Sequence, residues 1–142
     1  MLCWLATVDQ NRQPNVSPKE IFAPFDSEHL VIANIASPAS VRNLRSNPRV
    51  CVSFIDVFVQ QGFKVMGSAR NVQRNDKDFP CWCAPREIKA GPRFTIHSVI
   101  FVRASAVEPI LAPGCRLYAV ETTDQVQIAS AMRAYGVRPE KS

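Results

Sequence analysis

Apolar and polar positions along most of this chain follow the two-residue period of β-strands. Leu2 to Val8 is an apolar run, Asp9-Gln10-Asn11-Arg12 is a polar turn, and Asn15 to Phe22 resumes an extended pattern, which together predict a hairpin. His29 to Ile35 follows the Asp26-Ser27-Glu28 turn as a third strand. Arg49 to Phe58, RVCVSFIDVF, is a nearly continuous β-branched and aromatic run, which predicts a central strand buried on both faces. Gln60-Gln61-Gly62 turns it back into Phe63 to Val72, where Phe63, Val65, Gly67 and Ala69 share one face. Gly67 marks a bulge or the close approach of another backbone. Phe94 to Val107 reads as a long strand and Arg116 to Val120 as a short one.

Two segments carry helical signals. Asn34 to Arg49 leaves the end of a strand and enters a short basic helix, with Ser37 as N-cap, Pro38 in the first turn and Asn47-Pro48 as the stop. Ser37 and Ser40 then stand at a helix N-terminus, where free N–H groups and the dipole favour an anion, and Arg42 follows half a turn on. The competing reading is an ordinary capped surface helix that packs Val41 and Leu44 inward. The second helix begins at Thr122-Thr123-Asp124-Gln125 with a capping-box pattern. Val126, Ala129, Met132 and Tyr135 form its apolar stripe, and Gly136 is its stop. Between Gln73 and Arg93 the pattern dissolves into charges and prolines, as a loop or a broken helix. Six or seven strands with two short helices predict a mainly β (α+β) fold, a small antiparallel barrel forming one domain over 1–142.

Composition narrows the partners. The formal net charge of +5 suits an anionic ligand, while the scattered basic residues and few Tyr and Trp argue against a nucleic-acid partner. No stretch has the apolar length of a membrane span and nothing at Met1 resembles a signal peptide, so a cytoplasmic location is expected. Five cysteines at irregular spacing read as reduced thiols, with Cys3 and Cys51 as core filler. Cys81-Trp82-Cys83 is a C-x-C pair with no histidine near it, and no metal site is expected.

No familiar catalytic set is present: no G-x-S-x-G, Walker loop, H-E-x-x-H or Rossmann fingerprint. His29 and His97 lie in separate strand contexts and read as structural. Asp56, inside the predicted central strand, needs a partner across the sheet or across a dimer interface. Catalysis, if any, therefore falls to a cofactor.

The order LATVDQNRQPNVSPKEIFAPF, then HLVIANIASPASVRNLRSNPRVCVSF, then GFKVMGSARNV resembles the pyridoxamine 5'-phosphate oxidase-like FMN-binding split-barrel family. The resemblance covers Leu5 to Val72 well and the remainder in outline. It implies a six- to seven-stranded antiparallel split β-barrel, a homodimer, and FMN in clefts at the subunit interface. It places Lys19 on the FMN phosphate and Glu20, Ile21 and Phe22 along the strand bordering the flavin ring. Ala33 and Asn34 fall at the end of the third strand. Ser37, Ser40 and Arg42 complete the phosphate site, and Gln60, Gln61 and Lys64 lie where the partner subunit approaches the flavin.

This chain departs from that pattern in three places. Ala39 and Ser40 stand where the family's oxidases place an Arg-Lys pair on the phosphate. The C-terminal IASAMRAYGVRPEKS has no R-x-H-type substrate segment, and the helix that commonly precedes the first strand is missing. The implied function is an FMN-binding flavoprotein, an FMN-dependent oxidoreductase acting on a small organic substrate. The alternative is a non-catalytic flavin, deazaflavin or haem carrier.

Overall fold

The computed structural model describes residues 2–77, 79–83, 96–118 and 121–138, with the side chains of Trp82, Cys83 and Arg116 set aside. Seven antiparallel strands form one sheet: β1 (Cys3–Val8), β2 (Pro14–Lys19), β3 (Phe22–Pro24), β4 (His29–Asn34), β5 (Arg49–Asp56), β6 (Gln61–Gln73) and β7 (Ser98–Leu111). Their spatial order is β2-β1-β5-β6-β7-β4-β3. The two edge strands, β2 and β3, are separated in sequence only by Glu20 and Ile21. The sheet must therefore curl until its edges meet, and this makes it a split barrel rather than an open sheet. Among the described residues four helices accompany it: α1 (Pro38–Ser46), α2 (Phe79–Cys83), α3 (Pro113–Leu117) and α4 (Asp124–Tyr135). None is long and apolar enough, among the described residues, to cross a membrane.

Alternation decides which side chains are buried. Cys3 and Leu5 of β1, Val50, Val52 and Phe54 of β5, Val65 and Ala69 of β6, and Ile100 and Val102 of β7 fill the barrel, and Leu44 of α1 closes one end. A smaller cluster, Val31, Val72, Val99 and Phe79, lies on the opposite face beneath α2. Gly67 behaves as its sequence context predicts. The β6–β7 register shifts between Met66 and Gly67, and a Cβ at Gly67 would lie 2.0 Å from the Arg103 carbonyl oxygen.

Several sequence expectations need correction. The single extended run Asn15 to Phe22 is two strands, because the chain crosses from one sheet edge to the other at Glu20-Ile21. β5 ends at Asp56, and the apolar Val57-Phe58 belongs to the turn. Only one face of β5 is buried within the chain, so Cys51 is half-buried rather than core filler. Asp56 needs no cross-sheet partner: its carboxylate accepts the N–H groups of Phe58 at 2.9 Å and Val59 at 3.4 Å and so builds the turn. The long strand predicted from Phe94 to Val107 is described from Ser98 to Leu111, with 94–95 outside the described residues. The short strand predicted at Arg116–Val120 overlaps α3, with 119–120 outside the described residues. The N-cap of α4 is Thr123, whose hydroxyl accepts from Val126 N, so Thr122 and Gln125 form no capping box. Val126 and Tyr135 of the expected stripe are exposed, and only Ala131 of α4 is buried. Of the segment from Gln73 to Arg93, the described part runs into one turn of helix, α2, while 84–93 lie outside the described residues.

Candidate functional site

Helix α1 lies along β1 and β2 and brings the polar residues of β2 to its first turns. In β2, Asn15, Ser17 and Lys19 alternate with Val16 and Pro18 and point the same way. Each meets α1 or its N-cap residue. Asn15 donates to Ser40 Oγ at 3.4 Å, Ser17 Oγ and Ser40 Oγ lie 3.0 Å apart, and Lys19 Nζ donates to Ser37 Oγ. Thr7 of β1 extends the set, accepting from Asn15 Nδ2 at 3.2 Å and Asn43 Nδ2 at 3.1 Å.

Lys19 is the unusual member. It is only 4% exposed, and among the described residues no carboxylate pairs with it. Cys3 lies directly opposite across the β1–β2 ladder, but burial pushes that thiol up to about 12. It is therefore neutral near neutral pH and supplies no counter-charge. Burial likewise holds the Lys19 ammonium below its usual value. A desolvated cation without a counter-ion is costly, and an anion bound there would relieve that cost.

The surrounding groups suit such an anion. Ser37 occupies the N-cap position of α1, but its hydroxyl makes no cap hydrogen bond and faces Lys19 instead. Pro38 has no N–H, and the first-turn N–H groups of Ala39 and Ser40 have no intrahelical acceptor. Asn34, at the end of β4, orients the turn: its Oδ1 accepts Ser37 N at 3.2 Å and its Nδ2 donates to Ser98 Oγ at 2.8 Å. Ile21 carbonyl accepts Ala33 N at 2.9 Å, which ties the β2–β3 crossing to the same strand end.

The structure thus gathers Lys19, Ile21, Ala33, Asn34, Ser37 and Ala39. Ser40 is buried, and its hydroxyl is spent on Ser17 and Asn15. Arg42 and Glu20 are exposed, and Phe22 packs edge-on against Phe54 at 5.2 Å. Gln60, Gln61 and Lys64 belong to the β5–β6 hairpin, and β6 lies three strands from β2 in the sheet. Gln61 donates to Asp124 at 3.0 Å, and Lys64 pairs with Glu108 at 3.0 Å. The hairpin borders an apolar cleft of about 870 Å³ walled by Trp4, Phe22, Phe54, Ile55, Phe63 and Val107.

Residues 1–109 match the family described as pyridoxamine 5'-phosphate oxidase. The chain belongs to that family. No curated protein matches it. Among solved structures it resembles an FMN-binding protein of Syntrophomonas wolfei, 12% identical with a TM-score of 0.65, over 78% of this chain and 77% of that one. It also resembles HutZ, the haem storage protein of Vibrio cholerae, 19% identical with a TM-score of 0.61, over 78% and 84%. A protein named F420 reductase is 25% identical with a TM-score of 0.58, over 76% and 89%. At these identities the likeness is one of fold.

Within this pyridoxamine 5'-phosphate oxidase family chain, some site residues escaped sequence reasoning. Ser98 anchors Asn34, and Thr7, Asn15, Ser17 and Asn43 seat the helix. The polar alternation of Asn15, Ser17 and Lys19 on one face of β2 was the available signal. The histidines differ in role. His29 Nδ1 meets both Asp26 carboxylate oxygens at 2.8 and 2.9 Å, and its ring stacks on Phe101 with centroids 4.8 Å apart. His97 is exposed and lines a separate, smaller cleft.

Proposed function

We propose that this chain binds FMN through its phosphate at Lys19, Ser37 and the first turn of α1. We further propose that it acts as a homodimeric, FMN-dependent oxidoreductase on a small organic substrate. The observation that carries this reading is the buried Lys19 ammonium with no carboxylate beside it among the described residues. A phosphate offers the missing charge and enough acceptor oxygens for the Lys19 ammonium, the Ser37 hydroxyl and the free N–H groups of the first turn. Bound FMN supplies hydride-transfer chemistry, and the chain supplies the anchor, with Asn34 and Ser98 holding the Ser37 turn in place.

The apolar cleft supports the dimer. Phe63 is 45% and Val107 62% exposed on its walls, a costly amount of apolar surface to leave in water. A second copy of this chain covering that face would bring Gln60, Gln61 and Lys64 towards the partner's site. The free thiols of Cys3, Cys51, Cys81 and Cys115 accord with a reducing, cytoplasmic compartment.

The test is the absorbance and mass spectrum of ligand released from purified protein. FMN, with a two-band yellow spectrum, is the expected result. A Soret band, a deazaflavin mass, or colourless protein that takes up no added FMN would overturn the reading. Reduction of bound FMN by NADH or NADPH separates an enzyme from a carrier.

A further inference from the structure

The barrel is closed at one end by α1 and open at the other, where β1, β4 and β6 begin and β5 ends. The large apolar cleft lies at this open end. Three rings run along its wall: Phe22 meets Phe54 edge-on at 5.2 Å, and Phe54 stacks on Phe63 at 4.9 Å. Leu30, Val65, Ala104 and Val107 continue the apolar lining. Phe22 ties the cleft to the anion site, since it follows Lys19 by three residues across the β2–β3 crossing.

The charges that border this cleft have one sign. The chain carries 17 Lys and Arg against 12 Asp and Glu, yet no Lys or Arg is among the described lining, whereas Asp26, Glu28 and Asp56 are. Asp26 and Glu28 come from the β3–β4 turn and Asp56 from the end of β5, so acidic groups reach the mouth from two separate turns. Lys64, beside Phe63 in sequence, alternates to the other face of β6 and pairs with Glu108 at 3.0 Å. His29 adds no free cation, because its Nδ1 is held by the Asp26 carboxylate. The N–H of Glu28 and the His29 ring hold the Asp26 carboxyl below its usual value, so it is ionised at neutral pH. Among the described residues, Glu28 and Asp56 make no ion pair. Apolar walls focus the field of such carboxylates, and the faces of aromatic rings themselves attract positive charge.

We propose that this cleft binds an aromatic cation, with its ring against Phe22, Phe54 and Phe63 and its positive charge towards the carboxylates of the mouth. A carboxylate or phosphate on the ligand would meet no Lys or Arg there. As the substrate class of the flavoenzyme proposed above, the assignment rests on that reading, which lays the flavin along Glu20 to Phe22. As a binding site it does not. The second copy proposed to cover Phe63 and Val107 would close the cleft over this ligand.

Calorimetric titration of the purified full chain with 2-naphthylmethylamine, 2-naphthylmethanol and 2-naphthoate tests the proposal, with thermal melting of each variant alongside. The three probes share one ring system and differ in charge. The amine is expected to bind about tenfold more tightly than the alcohol, and naphthoate more weakly than either. Phe63→Ala should weaken the amine and the alcohol alike, by about tenfold. Glu28→Lys, on an exposed turn, should shrink the amine's advantage over naphthoate by about tenfold without shifting the melting temperature. The proposal is overturned if the amine does not bind, if naphthoate binds as tightly, or if Glu28→Lys leaves that advantage intact. It is also overturned if a folded Phe63→Ala chain binds the amine as the wild type does. FMN uptake by the same preparations reports on Lys19 separately, so the cofactor reading and this one fail independently.

Discussion

Lys19→Met keeps the length of the side chain, removes its charge, and separates anion binding from folding. The wild-type ammonium is buried, is hydrogen-bonded to Ser37, and is held below its ordinary value of 10.5 by desolvation. Its loss removes a charge-assisted contact worth about 1.5–3 kcal/mol, or roughly a tenfold to hundredfold weaker grip on FMN. Riboflavin, which lacks the phosphate, should bind the variant as it binds the wild type. Stability of the ligand-free chain should hold or rise, since an apolar side chain replaces an uncompensated buried cation. The pH dependence has a definite sign. Between the lowered folded value and 10.5 the unfolded chain carries more protons at Lys19, so stability of the free protein rises with pH there. Affinity for FMN moves the other way and falls as Lys19 loses its proton. Fluorescence titrations with FMN and riboflavin across the alkaline range, with thermal melts of both proteins, measure all of this. Equal losses for both ligands, or a strongly destabilised variant, would refute the assignment and leave Lys19 a structural residue.

Ser40→Lys would restore one cation of the family's phosphate pair, but Ser40 is 1% exposed against Ser17 and Asn15. It should unseat α1 and cost about 3–5 kcal/mol, read as a lower melting temperature rather than as tighter FMN binding. Gly67→Ala places a Cβ 2.0 Å from the Arg103 carbonyl, so the β6–β7 ladder must open. A loss of at least about 3 kcal/mol in denaturant unfolding is expected, and an unchanged midpoint would show that the bulge absorbs the methyl. Val107→Glu puts a charge on the proposed dimer face at a position 62% exposed in the single chain. Sedimentation should show the wild type as a dimer and the variant as a folded monomer, and a wild-type monomer would remove the interface.

Local signals in the sequence were read well where one segment decides its own structure. Ser37, Pro38 and Asn47-Pro48 bound α1, and Gly136, at φ 66°, ends α4, because caps and stops act within a turn. Errors arose where a distant element decides. The turn after β5 carries Val57, Phe58 and Val59, and non-glycine Gln60 takes a left-handed φ of 55°, so composition hides it. Asn15 to Phe22 reads as one strand because nothing local says that its two halves lie on opposite edges of the sheet. The stripe of α4 is apolar in sequence, yet most of it finds no core among the described residues. At the proposed site, the resemblance groups Lys19, Asn34 and Ser37 with residues that the fold keeps apart, such as Gln61 and Lys64. The burial of Ser40 against Ser17 and Asn15 is not legible in the sequence, because it depends on which face of α1 meets β2.

If Ala39 and Ser40 stand in place of an Arg-Lys pair, as the resemblance implies, the exchange changes the physics of the proposed site as well as its charge count. A pair of long cations at a helix start would act largely through solvent, with ionic strength screening them over a Debye length of about 8–10 Å. Here the small side chains let α1 settle onto β2, where Ser40 locks to Ser17 and Asn15. That seating in turn closes Lys19 beneath Ser37 and strips its water. Lys19, four per cent exposed, is the buried cation of this arrangement. Its attraction for an anion is screened less, and its free state is penalised more, than that of a surface pair. The small residues, the polar face of β2 and the buried lysine thus form one connected arrangement, in which Ser40 joins α1 to β2 and Ser37 meets the lysine.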